Sequence, residues 1–340
     1  MGFDMIAQWD TLYGNKGGYD LDPITHGLIG AALCVLSQHP LSLNDPVFLG
    51  TTIGAMLPDM DIVTHVKGRL NYLLKHRGAS HSLLALTGIS VCLTSVLYAF
   101  FPSTPWNTIF FWTLVGTLSH GVTDLLNSFG AELLWPFVRK KLTIDMIILT
   151  DPVIFGLFLT SLLVSYNKSD WGPQSTWTAT GLSVLYLIIR EADRRKIRHS
   201  LQMTYHVPEI ADIKLLPAMY RPFDWNFLIL QEHLVRFGVV RNHMPQVCRT
   251  LPRWDEDNPY VASALDGALA EVFDKFTPYY HIVSNQEDNA GPKVEFMDLR
   301  YWNKEAFLYT GQVVMDEEGQ IAEETFYPFT TNQEGILLSY

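Results

Sequence analysis

The chain has 340 residues, 48% of them hydrophobic and only 17% charged, against roughly 25% charged in an ordinary soluble chain. Residues 1–199 balance 14 Lys and Arg against 14 Asp and Glu, whereas residues 200–340 carry 10 against 21, so the whole net charge of −11 lies in the C-terminal part. An acidic tail excludes a nucleic-acid-binding surface, which needs a basic face, and three scattered cysteines (Cys34, Cys92, Cys248) exclude a disulfide framework or a Cys-based zinc site.

Residues 1–22 read as an N-terminal cytoplasmic segment, with no basic-then-apolar pattern of a cleavable leader. Two short apolar stretches follow, 26–37 and 47–57, both rich in Gly and Ala that allow close helix approach. A hydrocarbon core about 30 Å thick needs roughly 20 apolar residues in helix. Four stretches approach that length: 83–101, 108–129 (interrupted by His120 and Asp124), 146–166 (interrupted by Asp151-Pro152) and 175–190. Lys and Arg cluster in 67–77, 139–141 and 190–198, while the alternate connections carry almost none. The positive-inside rule therefore makes the basic loops cytoplasmic and the chain multi-pass.

After Arg198 the pattern changes. Residues 259–276 space their apolar residues as one amphipathic helix, 294–301 reads as a strand, and 311–329 reads as a hairpin around Asp316-Glu317-Glu318-Gly319. The expected fold is an all-α transmembrane helical bundle of four to six membrane helices over 23–192. A C-terminal soluble α+β domain over 193–340 stands in the cytoplasm.

Histidines and aspartates gather at the ends of these apolar stretches, all on the side that the charge pattern makes cytoplasmic. Ionisable groups at membrane depth are costly and mark functional sites, and imidazoles mixed with carboxylates are a ligand set for zinc and similar divalent metals. His120 and Asp124, four apart, share a helix face. Pro58-Asp59-Met60-Asp61 ends a segment, so its two carboxylates could chelate a metal, or one could act as general base. His76 and His81 are five apart and would not share a helix face, so 76–79 reads as loop, with Ser80 capping the helix that His81 begins. Arg77 suits an anionic substrate group or is simply a topology determinant. Asp22 and His26 straddle a helix start, Asp22 as cap and His26 as ligand. Asp145 and Asp151 each read as a ligand, as a partner orienting a histidine, or as a cap. The metal set is thus His26, Asp59, Asp61, His81, His120 and Asp124, with Asp61, His76 and Arg77 as catalytic candidates and Asp22, Asp145 and Asp151 in reserve.

These residues resemble a known family, the YdjM-like proteins, described as inner-membrane-bound or LexA-regulated metal-dependent hydrolases. The resemblance rests on Pro23-Ile24-Thr25-His26, on Gly54 through Asp61, on His76-Arg77-Gly78 with Ser80-His81-Ser82, and on Gly116 through Asp124 followed by Gly130. It covers about residues 20–190, with Asp145 and Asp151-Pro152 at the later acidic positions. It departs mildly at Ser80, where Thr is frequent. The resemblance implies a bacterial inner-membrane protein using a divalent metal, zinc by preference, to hydrolyse an ester or phosphoester. Spacing alone is similar to that of zinc-dependent phospholipase C. A site at headgroup depth makes membrane lipids the expected partner, with a protein partner for the acidic tail. Two other readings stand: a non-catalytic stress-response scaffold with a structural metal, and an ion or metal transporter. The transporter is disfavoured because the ionisable groups stop at one face.

Overall fold

The structure, a computed structural model, describes residues 22–60, 70, 74, 77–207, 212–219, 221–285, 292–303, 306–316, 318–328 and 335–338. Six helices with bounds inside the described residues make up the N-terminal part. Helix α1 spans Asp22–Cys34, and α2 spans Pro46–Met56. Asp45 caps α2 by accepting from the N–H groups of Val47 and Phe48, and Pro46 suits the first turn because its missing N–H would be unpaired there anyway. A 3-10 turn over 57–60 carries Asp59. Helices α3 (Leu83–Phe100) and α4 (Trp106–Leu126) are both long and apolar enough to cross a membrane. They are followed by α5 (Pro152–Asn167) and α6 (Gly172–Thr204).

Two of the expected four to six spans therefore pass on length and apolarity among the described residues. Helix α1 is too short to cross alone, at about 1.5 Å rise per residue, as is α5. The first turns of α6 are too polar, with Gln174, Ser175 and Thr176. Two further expectations need correction. Ser82, not Ser80, caps α3: it has extended backbone and accepts from Ala85 N–H, while Ala79–His81 forms a 3-10 turn before it. Residues 146–151 are not helical. Met146 and Ile147 donate N–H groups to the Leu126 carbonyl, and α5 starts only at Pro152, where Asp151 caps Val153 and Ile154. Proline cannot donate inside a helix, so the helix begins at it.

The helices meet through small residues. A Cβ on Gly30 would lie 2.7 Å from the Ala55 Cβ, and one on Gly116 would run into the Thr51 carbonyl. Glycine there lets α1, α2 and α4 touch backbone to backbone. Ser90 and Thr117 are buried and hydrogen-bonded across α3 and α4 (2.8 Å). Large apolar side chains face outward instead, among them Val96, Phe111, Val122, Leu163 and Ile188.

Among the described residues the C-terminal part holds two larger antiparallel sheets and a separate two-stranded pair. The first, in sequence order, comprises β1 (Asp212–Pro217), β2 (Trp225–Leu230), β3 (Leu234–Arg241) and β4 (Met244–Pro252). One face of this sheet (Ile213, Leu215, Trp225, Phe227, Ile229) packs on Tyr186, Ile197 and Leu201 of α6 and on Met146 and Ile147. Its other face, with Leu216, Leu228 and Phe237, meets Leu299 and Phe307.

Helices α7 (Pro259–Leu265) and α8 (Ala268–Phe276) come next, so the single helix expected over 259–276 is broken at Asp266-Gly267. The break has a distant cause: the buried Glu324 carboxylate accepts the N–H groups of Ala268 and Leu269 and starts a new helix there. The second sheet follows, with β5 (Tyr280–Asn285), β6 (Lys293–Asp298), the short pair β7 (Trp302–Asn303) and β8 (Ala306–Phe307), then β9 (Tyr309–Met315), β10 (Ile321–Pro328) and β11 (Ile336–Leu337). Its order is β11-β10-β9-β6-β5, with β7 and β8 pairing separately. Alternate residues of β6 and β9 (Val294, Phe296, Val313, Met315) join Leu269, Phe273 and Phe276 of α8 in its core.

Candidate metal centre

Four ionisable side chains from three segments converge at one end of the helical part. Donor atoms of Asp59, His81, His120 and Asp124 all lie within 4.8 Å of one another, and all four residues are buried. His120 and Asp124 come from the last two turns of α4, Asp59 from the 3-10 turn after α2, and His81 from the turn before α3. His26 of α1 stands beside them, its Nε2 3.6 Å from Asp124 Oδ1 and 3.9 Å from Asp59 Oδ2.

The imidazoles are oriented by what their other nitrogens do. His120 Nδ1–H donates to the Ala55 carbonyl (2.8 Å), which can only accept. Thr123 Oγ1 gives its proton to a backbone carbonyl of its own helix, so it accepts from His26 Nδ1–H (2.9 Å). His81 Nδ1 meets Ser80 Oγ (3.0 Å). With Nδ1 engaged, each ring turns Nε2 toward the two carboxylates, as metal-bound histidines do. His81 Nε2 lies 3.4 Å from Asp59 Oδ1 and 3.3 Å from Asp124 Oδ2. His120 Nε2 lies 3.6 Å and 3.2 Å from the same two atoms.

These distances test whether a cation fits. Donors about 2.0–2.2 Å from one cation can stand at most about 4.4 Å apart, and the four His–Asp spacings of 3.2–3.6 Å fall within that reach. His120 Nε2 and Asp124 Oδ2 are also buried with no hydrogen-bond partner among the described residues. A lone pair facing a buried carboxylate is costly unless a positive charge lies between them. The donor set therefore fits a divalent metal.

Arg77 differs from its expected role. Rather than facing a substrate volume, it is buried, with Nη2 3.2 Å from Asp124 Oδ1 and its guanidinium over the Phe129 ring. Asp151 is a cap, and its Oδ2 accepts from the Tyr186 hydroxyl (2.9 Å). Asp145 is also no ligand in this arrangement: it accepts from Thr143 Oγ1 (3.0 Å) and from the Tyr279 hydroxyl of the C-terminal part (3.0 Å). Burial first, and then that carboxylate, push the Tyr279 phenol above its ordinary range. Asp22 begins α1; its side chain, and all of Asp61 and His76, lie outside the described residues.

Sequence reasoning missed the supporting groups: Thr123, the Ala55 carbonyl, and Asn127, whose Nδ2 donates to Asp124 Oδ1 (3.5 Å). Thr123 and Asn127 carry a readable signal, since each lies three residues past a ligand candidate on one helical end. Ala55 carries none.

Residues 21–202 match the family model described as YdjM inner membrane protein, and residues 259–332 match that of the YfhP C-terminal alpha/beta plait domain. The chain is 28% identical over 296 residues to a Bacillus subtilis (strain 168) protein described as uncharacterized protein YfhP, covering 84% of this chain and 88% of that one. No solved structure matches it.

Proposed function

The chain belongs to the YdjM inner membrane protein family, and we propose that it is a membrane-embedded metal-dependent hydrolase acting on an ester or phosphoester at the cytoplasmic face. One observation carries this reading: imidazole and carboxylate donors from three separate segments meet within 4.8 Å of one another, with the far nitrogens of the rings already engaged. His81, His120, Asp59 and Asp124 are the proposed ligands, with His26 and Asp61 completing the set, and zinc is the metal that suits them best. A divalent metal held there would supply Lewis acidity, polarising the scissile carbonyl or phosphoryl oxygen and acidifying a water. Arg77 sets a permanent positive charge against Asp124 and holds that carboxylate in place. His76 would position substrate.

A small cleft, with space for about one water, lies beside His26. Thr25, Thr123, Asn127 and Asp151 make its polar wall, and Ile29, Ile147, Leu149 and Ile154 its apolar wall. The proposed substrate, a lipid or other amphiphile, follows from placing the centre at headgroup depth. The proposed topology is multi-pass, with the C-terminal domain cytoplasmic and its acidic surface open to a protein partner.

Metal analysis on detergent-purified protein after metal repletion tests the reading, with His81→Ala and Asp124→Ala alongside. Stoichiometric metal in the parent and its loss in both variants is the expected result; a parent that holds none sinks it. A lipid and phosphoester panel follows. Complete burial of His81, His120 and Asp124 favours a second reading, a structural metal in a scaffold protein. Metal-loaded protein that is inert across the panel, yet loses thermal stability when stripped, would select that reading.

A further inference from the structure

The loop between α4 and α5 has a feature the metal chemistry does not use. Ala131 and Leu142 pair across an antiparallel bridge, through Ala131 N–H to the Leu142 carbonyl (3.1 Å) and Leu142 N–H to the Ala131 carbonyl (2.9 Å). The residues between them form a closed loop. Its base is fixed at two more points: Glu132 N–H donates to the Arg77 carbonyl (3.1 Å), and Leu83 N–H donates to the Leu133 carbonyl (3.0 Å). The tip carries Leu134, Phe137 and Val138, all exposed, with Phe137 at 86% exposure. Arg139 and Lys140 follow directly and are exposed too.

A Phe this exposed on a loop pinned at its base needs a partner, because water is a poor solvent for it. The surroundings say which. The loop is bonded to Leu83 at the very start of α3, where Leu83 and Leu84 begin the apolar outer surface of a helix able to cross a membrane. The apolar tip is thus continuous with a surface that lipid would cover. The adjoining cations complement phosphate, and juxtamembrane Lys and Arg are drawn to anionic leaflets. We propose that residues 134–140 form a membrane-interface anchor: Leu134, Phe137 and Val138 enter the acyl boundary, and Arg139 and Lys140 bind anionic phospholipid headgroups. The anchor rests on the embedding of α3 and α4, not on the metal reading. Only a few residues separate it from Asn127 and Asp124, so it holds the metal end of the bundle at headgroup depth.

Site-directed spin labelling of the full chain in lipid nanodiscs tests this. The buried Cys34 stays, Cys92 and Cys248 become alanine, and labels are placed singly at Phe137→Cys, at Val96→Cys on the outer face of α3, and at Glu256→Cys on an exposed loop. Collision with oxygen, which partitions into lipid, is compared with collision with a water-soluble nickel chelate. The label at 137 should resemble that at 96, and adding phosphatidylglycerol to phosphatidylcholine should lower its nickel accessibility at least twofold. Arg139→Gln with Lys140→Gln should abolish that lipid dependence. A label at 137 that behaves like the one at 256 in both lipids overturns the anchor, and a lipid-buried label indifferent to phosphatidylglycerol overturns its anionic recognition. A label at 96 that reads as water overturns the embedding itself, and the anchor with it.

Discussion

The helical part and the C-terminal part are built with opposite polarity. Around α3 and α4 the buried side chains include Ser90, Thr94, Thr113, Thr117, His120 and Asp124, while Val96, Phe111, Val122 and Leu163 point outward. In the C-terminal part the buried side chains are mostly apolar, among them Phe273, Phe276, Phe296, Val313 and Phe326, with a few polar ones such as Asp298, Arg300 and Glu324, and the exposed side chains include Asp255, Glu256, Asp257 and Glu271. The solvent explains the inversion. Lipid is as apolar as leucine, so helices there associate through small residues, hydrogen bonds and polar centres. Water drives apolar area inward instead, at about 25 cal/mol per Å². The difference teaches that a buried carboxylate is a cost to be explained in one region and a binding element in the other.

The largest break in this contrast should come from the polar centre. Asp124→Ala should drop metal content from near stoichiometric to background by elemental analysis, whereas Thr123→Val, which removes only the hydroxyl orienting His26, should weaken metal binding by about 10–100-fold. Next comes the apolar core. Phe273 is fully buried under the second sheet, and Phe273→Ala should cost about 3–5 kcal/mol in denaturant unfolding of the C-terminal domain. The outward-facing Leu163→Ala, followed by thermal unfolding in detergent, should stay within about 0.5 kcal/mol, as surface substitutions do.

A smaller effect sharpens the contrast through pH. Burial holds the His281 imidazole down at about 4, against the Pro252 carbonyl that its Nε2–H reaches. The unfolded chain takes up that proton near pH 6.5, before the folded one does. Stability is thus complete above about 6.5 and declines as pH falls toward 4, by at most about 1.4 kcal/mol per pH unit from this group. Equilibrium unfolding of His281→Gln should lack that part of the slope; an unchanged slope would place its origin elsewhere. Another small effect belongs to the polar seam between α3 and α4, where Ser90→Ala should cost about 0.6 kcal/mol, the usual worth of such a bond in a membrane.

Much of the helical part was legible. The four-residue spacing of His120 and Asp124 placed both on one helix face, and both do face the centre. The boundaries of α3 and α4 lay within a few residues of the apolar runs. What could not be read was decided by contacts distant in sequence. Arg77 has the composition of a substrate anchor or a topology signal, yet it folds inward to Asp124, 47 positions along the chain. The break at Asp266-Gly267 depends on Glu324, which no local periodicity could announce.

By itself the amino-acid order determined that two long segments are apolar enough to cross a membrane, where the acidic excess lies, and which imidazoles and carboxylates sit at segment ends. Those are properties of composition and of periods of a few residues. Only the tertiary structure decided that Asp59, His81, His120 and Asp124 enclose one point, that Asp151 caps while Asp145 bonds to Tyr279, and that α1, α2 and α4 approach through Gly30 and Gly116. A donor's direction depends on the packing of whole helices, and side chains far apart in the chain come together only once those helices have docked.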